Sequence, residues 1–186
     1  VNPDFDYVVV KLPNDEDNLL LCKTVFLNRF KGEGEVLETV KGKDLEGLKF
    51  ETCFPEFDAQ TGVDHPVVCW DQVDDVEGSG IVHIAPGCGA EDFELGESIG
   101  LAKIVPIDES GIIYPGFGFM SGKNAKEVAP EVFEELKKRN KLFLTHKYKH
   151  SYPFCWRCKE DILFRLVKEW AFDADVVRSD LIRNAK

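Results

Sequence analysis

Nothing in these 186 residues approaches the roughly 18-residue apolar run of a membrane-spanning helix, and no charged-then-apolar start reads as a secretory signal. The reading is a soluble cytoplasmic monomer with no membrane partner. Internal repeats and low-complexity stretches are also missing, so residues 1–186 read as a single domain. Methionine occurs once, at Met120, and the sequence begins at Val1, which reads as a piece of a longer polypeptide. Basic residues are outnumbered, 23 Lys and Arg against 34 Asp and Glu, and the net charge of −11 argues against a general nucleic-acid binder.

What basic charge there is sits in one place. Residues 1–136 carry 10 Lys and Arg against 28 Asp and Glu, a balance of −18, whereas residues 137–168 carry 10 against 2, a balance of +8. Lys137, Lys138, Arg139, Lys141, Lys147, Lys149, Arg157, Lys159, Arg165 and Lys168 form this sector. It suits a polyphosphate backbone, and equally a solvated helix end followed by strands with polar outer faces. Six cysteines are present, but Cys22, Cys53, Cys69 and Cys88 stand singly among apolar neighbours, where cysteine serves as a small buried hydrophobe rather than as half of a disulfide.

The first half reads as short strands joined by turns. Residues 7–12 and 19–22 read as a hairpin across the polar turn 13–18, residues 25–30 as a short helix and 35–40 as a strand. Residues 41–48 form a charged, glycine-punctuated loop, and further strands are expected at 66–70, 81–86, 103–107, 142–149 and 162–170. Ala125, Val128, Ala129, Val132, Phe133 and Leu136 follow helical spacing as one buried stripe, and Pro130 either kinks that helix or lies in its first turn. The tail from Asp175 reads as helical. Many short strands with a few helices imply a β-rich α+β fold, a small β-barrel or strongly curved sheet with flanking helices.

The densest chemistry lies in GSGIVHIAPGCGAEDFELG, residues 78–96. Period-2 alternation over 81–86 sets Ile81, His83 and Ala85 on one face, directing His83 inward, with Val82 and Ile84 on the other. Pro86 and Gly87 end that strand, and the following Ala-Glu-Asp-Phe-Glu-Leu starts a helix whose dipole favours the Asp92 carboxylate. An Asp92 so placed holds a substrate cation, and an imidazole at His83 both donates and accepts hydrogen bonds toward a hydroxyl or a water. The competing reading is a capping aspartate and a core histidine satisfied by backbone. Residue chemistry alone leaves both open.

The motif resembles the signature of the editing domain, known as CP1, of isoleucyl-tRNA synthetases. The likeness continues in HSYPFCWRC, residues 150–158, with ILFR at 162–165 and Glu169-Trp170, a stretch similar to the return of that domain toward the catalytic body over about residues 150–186. Pro3-Asp4-Phe5-Asp6-Tyr7 resembles the strand that leads into the domain, so the resemblance spans nearly the whole chain. His83 with Ala85-Pro86-Gly87 separates it from the related valyl and leucyl domains. Ser79 and Cys88 depart from the usual pattern, and no role is assigned to Cys88.

The resemblance implies hydrolysis of valine misattached to tRNA(Ile), with its valyl-adenylate precursor as a further substrate. It assigns His83 and Asp92 as catalytic, Asp92 anchoring the α-ammonium and His83 meeting the terminal ribose or a water. Gly80, Ile84, Ala85, Pro86 and Gly87 become substrate-binding. The partners it implies are the valine-bearing 3′ end of tRNA(Ile) and the remainder of the synthetase. The threonine-rich wall that the family uses is not found in residues 1–186, which leaves an alternative: a module that binds the aminoacylated end without hydrolysing it.

Cys155-Trp156-Arg157-Cys158 has the spacing of a zinc knuckle, yet no second C-x-x-C accompanies it. Cys155 and Cys158 are therefore half a metal site, expected to hold no cofactor in this chain alone and zinc in a full-length protein, where the resemblance supplies another cysteine pair. His146 and His150 are the substitutes nearest in sequence.

Overall fold

The computed structural model describes all residues except 14, 77, 146–150, 171 and 186. The expected hairpin forms. Strand β1 (Asp6–Lys11) pairs antiparallel with β2 (Asn18–Cys22), from Tyr7 opposite Cys22 to Lys11 opposite Asn18. On its other side β1 pairs antiparallel with β3 (Glu35–Lys41), with an irregularity between Val9 and Val10. The order β2-β1-β3 thus puts the most buried strand in the middle.

Helix α1 (Lys23–Arg29) follows β2 without a loop and lays Val25 and Phe26 onto the sheet. Tyr7, Val8, Val10, Leu21, Cys22, Val25, Phe26 and Leu45 form the main core, and Tyr7 and Val10 are wholly inaccessible. Burial of apolar side chains of this size is worth about 1.5–3 kcal/mol each, so this group dominates the stability of the sheet. A second cluster gathers Ile107, Ile113 and Val128, with Met120, Val132 and Leu163 packed on it.

Helix α2 (Ala90–Ile99) starts where the acidic first turn predicts and ends at Gly100, whose φ of 76° suits a residue without a Cβ. Helix α3 (Ala129–Lys138) begins at Pro130's own turn, so the proline starts the helix rather than kinking it. Its buried stripe is narrower than expected, because Phe133 is 45% exposed and Ala129 faces solvent. Helix α4 (Ala174–Asn184) is capped by Asp173, whose carboxylate accepts the Asp175 N–H at 2.9 Å.

The expected strands at 66–70, 81–86, 103–107 and 162–170 do not form ladders. Residues 66–70 and 103–107 carry one isolated bridge each, Lys49–Pro66 and Ile107–Ile113, and none is found at 81–86 or 162–170 among the described residues. Pro66, Pro86 and Pro106 remove a donor from three of these segments, so β-branched content does not lead to pairing there. Residues 141–145 are likewise unpaired, and the rest of the expected 142–149 strand lies outside the described residues. The fold is therefore mixed sheet and helix, as expected, but the described ladders make an open three-stranded sheet rather than a barrel, and more residues lie in helices than in strands.

Candidate functional site

Residues 78–96 are built onto this frame from both ends. At the first end, the Tyr7 hydroxyl donates to the Gly80 carbonyl at 2.8 Å and accepts the Asn2 N–H at 2.9 Å, while Cys22 N–H donates to the Ser79 carbonyl at 2.8 Å. Gly80 is buried, has a φ of 71°, and a Cβ there would overlap Cys22. Only glycine fits, on conformation and on space.

At the second end, Pro86 and Gly87 are buried. Pro86 packs so closely on Gly96 of α2 that a Cβ on Gly96 would lie 2.8 Å from its ring. A Cβ on Gly87 would overlap the Ile104 carbonyl, and the Gly87 carbonyl accepts the Leu166 N–H at 3.1 Å. The Ala85 carbonyl takes two donors, from Cys88 at 2.9 Å and Gly89 at 3.2 Å, turning the chain into α2.

Between these ends the structure corrects the sequence reading. Ile81, Val82 and His83 are all exposed, and residues 82–84 make no hydrogen bond with any described residue. Without a ladder partner, alternation does not sort side chains into inner and outer faces, so His83 is not inward-pointing. Ile84 and Ala85 are half-buried.

Asp92 lies in the first turn of α2, half-buried, and its carboxylate folds back over Gly89, where a Cβ would lie 2.6 Å from Oδ2. No side chain caps the α2 N-terminus, which leaves its N–H groups and the Asp92 charge together at one corner. Burial first, and the Asp92 charge second, push the Cys88 thiol above its usual range, so it is a poor nucleophile. No hydrogen bond or ion pair joins His83 to Asp92 among the described residues. The Asp92 carboxylate suits binding a cation, and the His83 imidazole is open to solvent.

Two concavities lie elsewhere. One of about 420 Å³ is lined by Glu109, Asn124, Lys126, Glu160 and Asp161, and one of about 490 Å³ by Leu12, Arg29, Phe30 and Lys31. Neither includes His83 or Asp92, and both are open depressions, so the candidate site rests on the motif at residues 78–96 and not on a formed cavity.

The basic sector is largely answered from within the chain. Arg139 pairs with Glu56 at 2.5 Å, Lys141 with Glu51 at 3.7 Å, Lys138 with Glu135 at 2.5 Å and Arg165 with Glu109 at 3.4 Å. Arg139 also sits 4.8 Å over the Phe54 ring, tying the end of α3 to the 51–57 segment. Exposed pairs of this kind are individually weak, so they describe a solvated face more than a committed phosphate groove. Lys147 and Lys149 lie outside the described residues.

All six cysteines are free thiols. Cys22 is buried as expected, Cys69 and Cys88 are half-buried, and Cys53 is exposed, contrary to expectation. Cys155 opens a tight turn in which its carbonyl accepts Lys159 N–H and its own N–H donates to Glu160, both at 2.8 Å. Backbone N–H groups of Cys158 and Arg157, then the Cys158 side chain, hold the Cys155 thiol below its usual range. That is a knuckle suited to a soft metal, but no group of three or more potential ligands exists among the described residues. His146 and His150 lie outside them.

The anchors Tyr7, Cys22 and Leu166 escaped sequence reasoning. Their role depends on contacts spanning more than fifty residues, and no local pattern announces them.

No family model matches the chain. The isoleucine–tRNA ligase of Methanothermobacter thermautotrophicus is 33% identical over 184 residues, covering 98% of this chain and 17% of that protein. That of Pyrococcus furiosus is 36% identical over 194 residues, covering 98% and 18%. That of Methanocaldococcus jannaschii is 34% identical over 202 residues, covering 100% and 19%. The chain thus spans less than a fifth of the length of these relatives. The crystal structure of GlLeuRS-CP1 superposes with a TM-score of 0.60 over 80% of this chain and 77% of that one, at 13% identity, a likeness of fold.

Proposed function

Since the chain belongs to the isoleucine–tRNA ligase family, as the counterpart of a segment amounting to 17–19% of its relatives, we propose that it is the CP1 editing domain and hydrolyses valine from mischarged tRNA(Ile). The observation that carries this reading is the Asp92 carboxylate at the uncapped α2 N-terminus, with the His83 segment leading into it between two buried glycine anchors. The free α-ammonium of an aminoacyl ester is the cation that such a carboxylate accepts.

The chemistry needs a second site. One methylene in a hydrophobic pocket discriminates by only about 1–3 kcal/mol, a limit of which isoleucyl-tRNA synthetases are themselves a standard example. A smaller pocket that admits valine and excludes isoleucine removes the error afterwards. Asp92 fixes the ammonium, His83 contacts the terminal ribose or orients water, and Ile84, Ala85 and Pro86 form the wall, with Gly80 and Gly87 setting its ends. Ester hydrolysis is not intrinsically hard, so orientation supplies most of the acceleration. Valyl-adenylate carries the same ammonium and is a second substrate of the same corner. The domain acts in the cytoplasm as part of a synthetase.

The exposure of His83 favours a second reading, in which the chain by itself binds the aminoacylated end without turnover. Single-turnover deacylation of valyl-tRNA(Ile) and isoleucyl-tRNA(Ile), with the chain alone and with its synthetase, separates them. Valine-selective release by the synthetase supports editing, and binding without release by the chain alone supports the second reading for the fragment. Equal rates for the two esters in both forms sink the editing assignment.

Cys155 and Cys158 would hold two corners of a structural zinc whose other ligands lie beyond the described residues. Bound zinc would clamp the 153–161 turn to a second segment of chain. The purified chain is expected to carry well under one zinc per molecule by plasma emission spectrometry. One tightly held ion per chain would show that the site is complete within it.

A further inference from the structure

We infer that Tyr7 is a positioning residue for the His83 segment, an inference that rests on the editing role proposed above. Residues 82–84 have no hydrogen bonds to the described residues, so the polar anchoring of this strap comes from its two ends. The far end is fixed by packing of Pro86 and Gly87 and by Leu166. The near end is fixed by a buried polar chain: Asn2 N–H to Tyr7 Oη at 2.9 Å, then Tyr7 Oη to the Gly80 carbonyl at 2.8 Å. Asn2 is itself held, its amide donating to the carbonyls of Asp71 at 3.2 Å and Val73 at 3.0 Å.

This chain is more than core packing. Tyr7 is 0% exposed, at the centre of the sheet, and burial pushes its hydroxyl above the usual tyrosine range, so it stays the donor that Gly80 needs. A phenylalanine would fill the same volume and leave the Gly80 carbonyl buried without this donor. Gly80 is three residues from His83, and at a left-handed φ pressed on Cys22 it has one position compatible with the hydroxyl. Rotation at Gly80 swings the strap and moves the imidazole away from an ester held at Asp92.

The test is Tyr7→Phe, read in two ways. Loss of one buried hydrogen bond at the anchor is expected to lower kcat for valyl-tRNA about 10-fold while KM changes less than about 2-fold, since Asp92 is untouched. In the same variant the His83 imidazole cross-peak shifts in NMR, and the backbone order parameters of residues 82–84 fall toward the flexible range below about 0.6. Leu45→Val, a similar loss in the same core with no bond to Gly80, serves as the control and leaves kcat and the strap unchanged. Should Tyr7→Phe not fold, Asn2→Ala carries the test, because it removes the amide bonds to Asp71 and Val73 that hold the Asn2 N–H on the Tyr7 hydroxyl and is expected to loosen the strap in the same direction. An unchanged strap, or an altered strap with unchanged kcat, overturns the inference. A wild type without valine-selective hydrolysis sinks the editing reading alone, because the order parameters still report the anchor.

Discussion

Asp92→Ala in the synthetase is expected to slow valyl-tRNA(Ile) hydrolysis by roughly 10- to 150-fold while aminoacylation with isoleucine proceeds as before. A hydrogen bond to a charged group contributes about 1.5–3 kcal/mol, and each 1.4 kcal/mol is about a factor of ten in rate. The fold survives the change. Among the described residues Asp92 forms no ion pair or cap bond, so the alanine gives up mainly the helix-dipole interaction, about 0.3–1 kcal/mol, a minor part of an ordinary domain's stability. Asp92→Asn separates charge from shape: it retains the side chain over Gly89 but not the charge, and should lose most of the same activity. Normal clearance of valyl-tRNA by Asp92→Ala would show that the ammonium is held elsewhere and that residues 78–96 are structural.

The parts of the fold legible in sequence are those decided by neighbours within one turn or hairpin. The β1–β2 hairpin, α1, β3, the acidic start of α2 and the proline start of α3 all follow from local spacing and capping. Residues 66–70, 81–86 and 103–107 had strand composition, but strand formation needs a partner in register, and each contains a proline that cannot donate. The site divides the same way. Asp92 at a helix start could be read from Ala-Glu-Asp-Phe-Glu-Leu, whereas the direction of His83 could not, because its segment is fixed only by Tyr7 and Cys22 at one end and by α2, Ile104 and Leu166 at the other. The basic sector looked like one surface in sequence, yet Arg139 and Lys141 turn to Glu56 and Glu51, acids more than eighty residues away.

Gly87→Ala is expected to be the most damaging single-methyl change in this region. The added Cβ would overlap the carbonyl oxygen of Ile104, which is backbone and cannot rotate aside as a side chain would. Relief requires the 86–88 turn to lift off residues 104–105, and that movement also breaks the bond from Leu166 N–H to the Gly87 carbonyl. Overpacking of this kind costs about 1–3 kcal/mol and occasionally more, and a clash with backbone belongs at the upper end. Gly100→Ala is the matched comparison: its φ of 76° imposes left-handed strain, about 1 kcal/mol, but its Cβ would point into open space. Urea unfolding should therefore rank Gly87→Ala well below Gly100→Ala, at an unchanged m-value. Equal midpoints would mean that the turn at Gly87 yields easily, and the far anchor of the His83 strap would then be too soft to hold it. If the ranking stands, the close approach of Gly87 to the Ile104 backbone is enough by itself to require glycine at position 87.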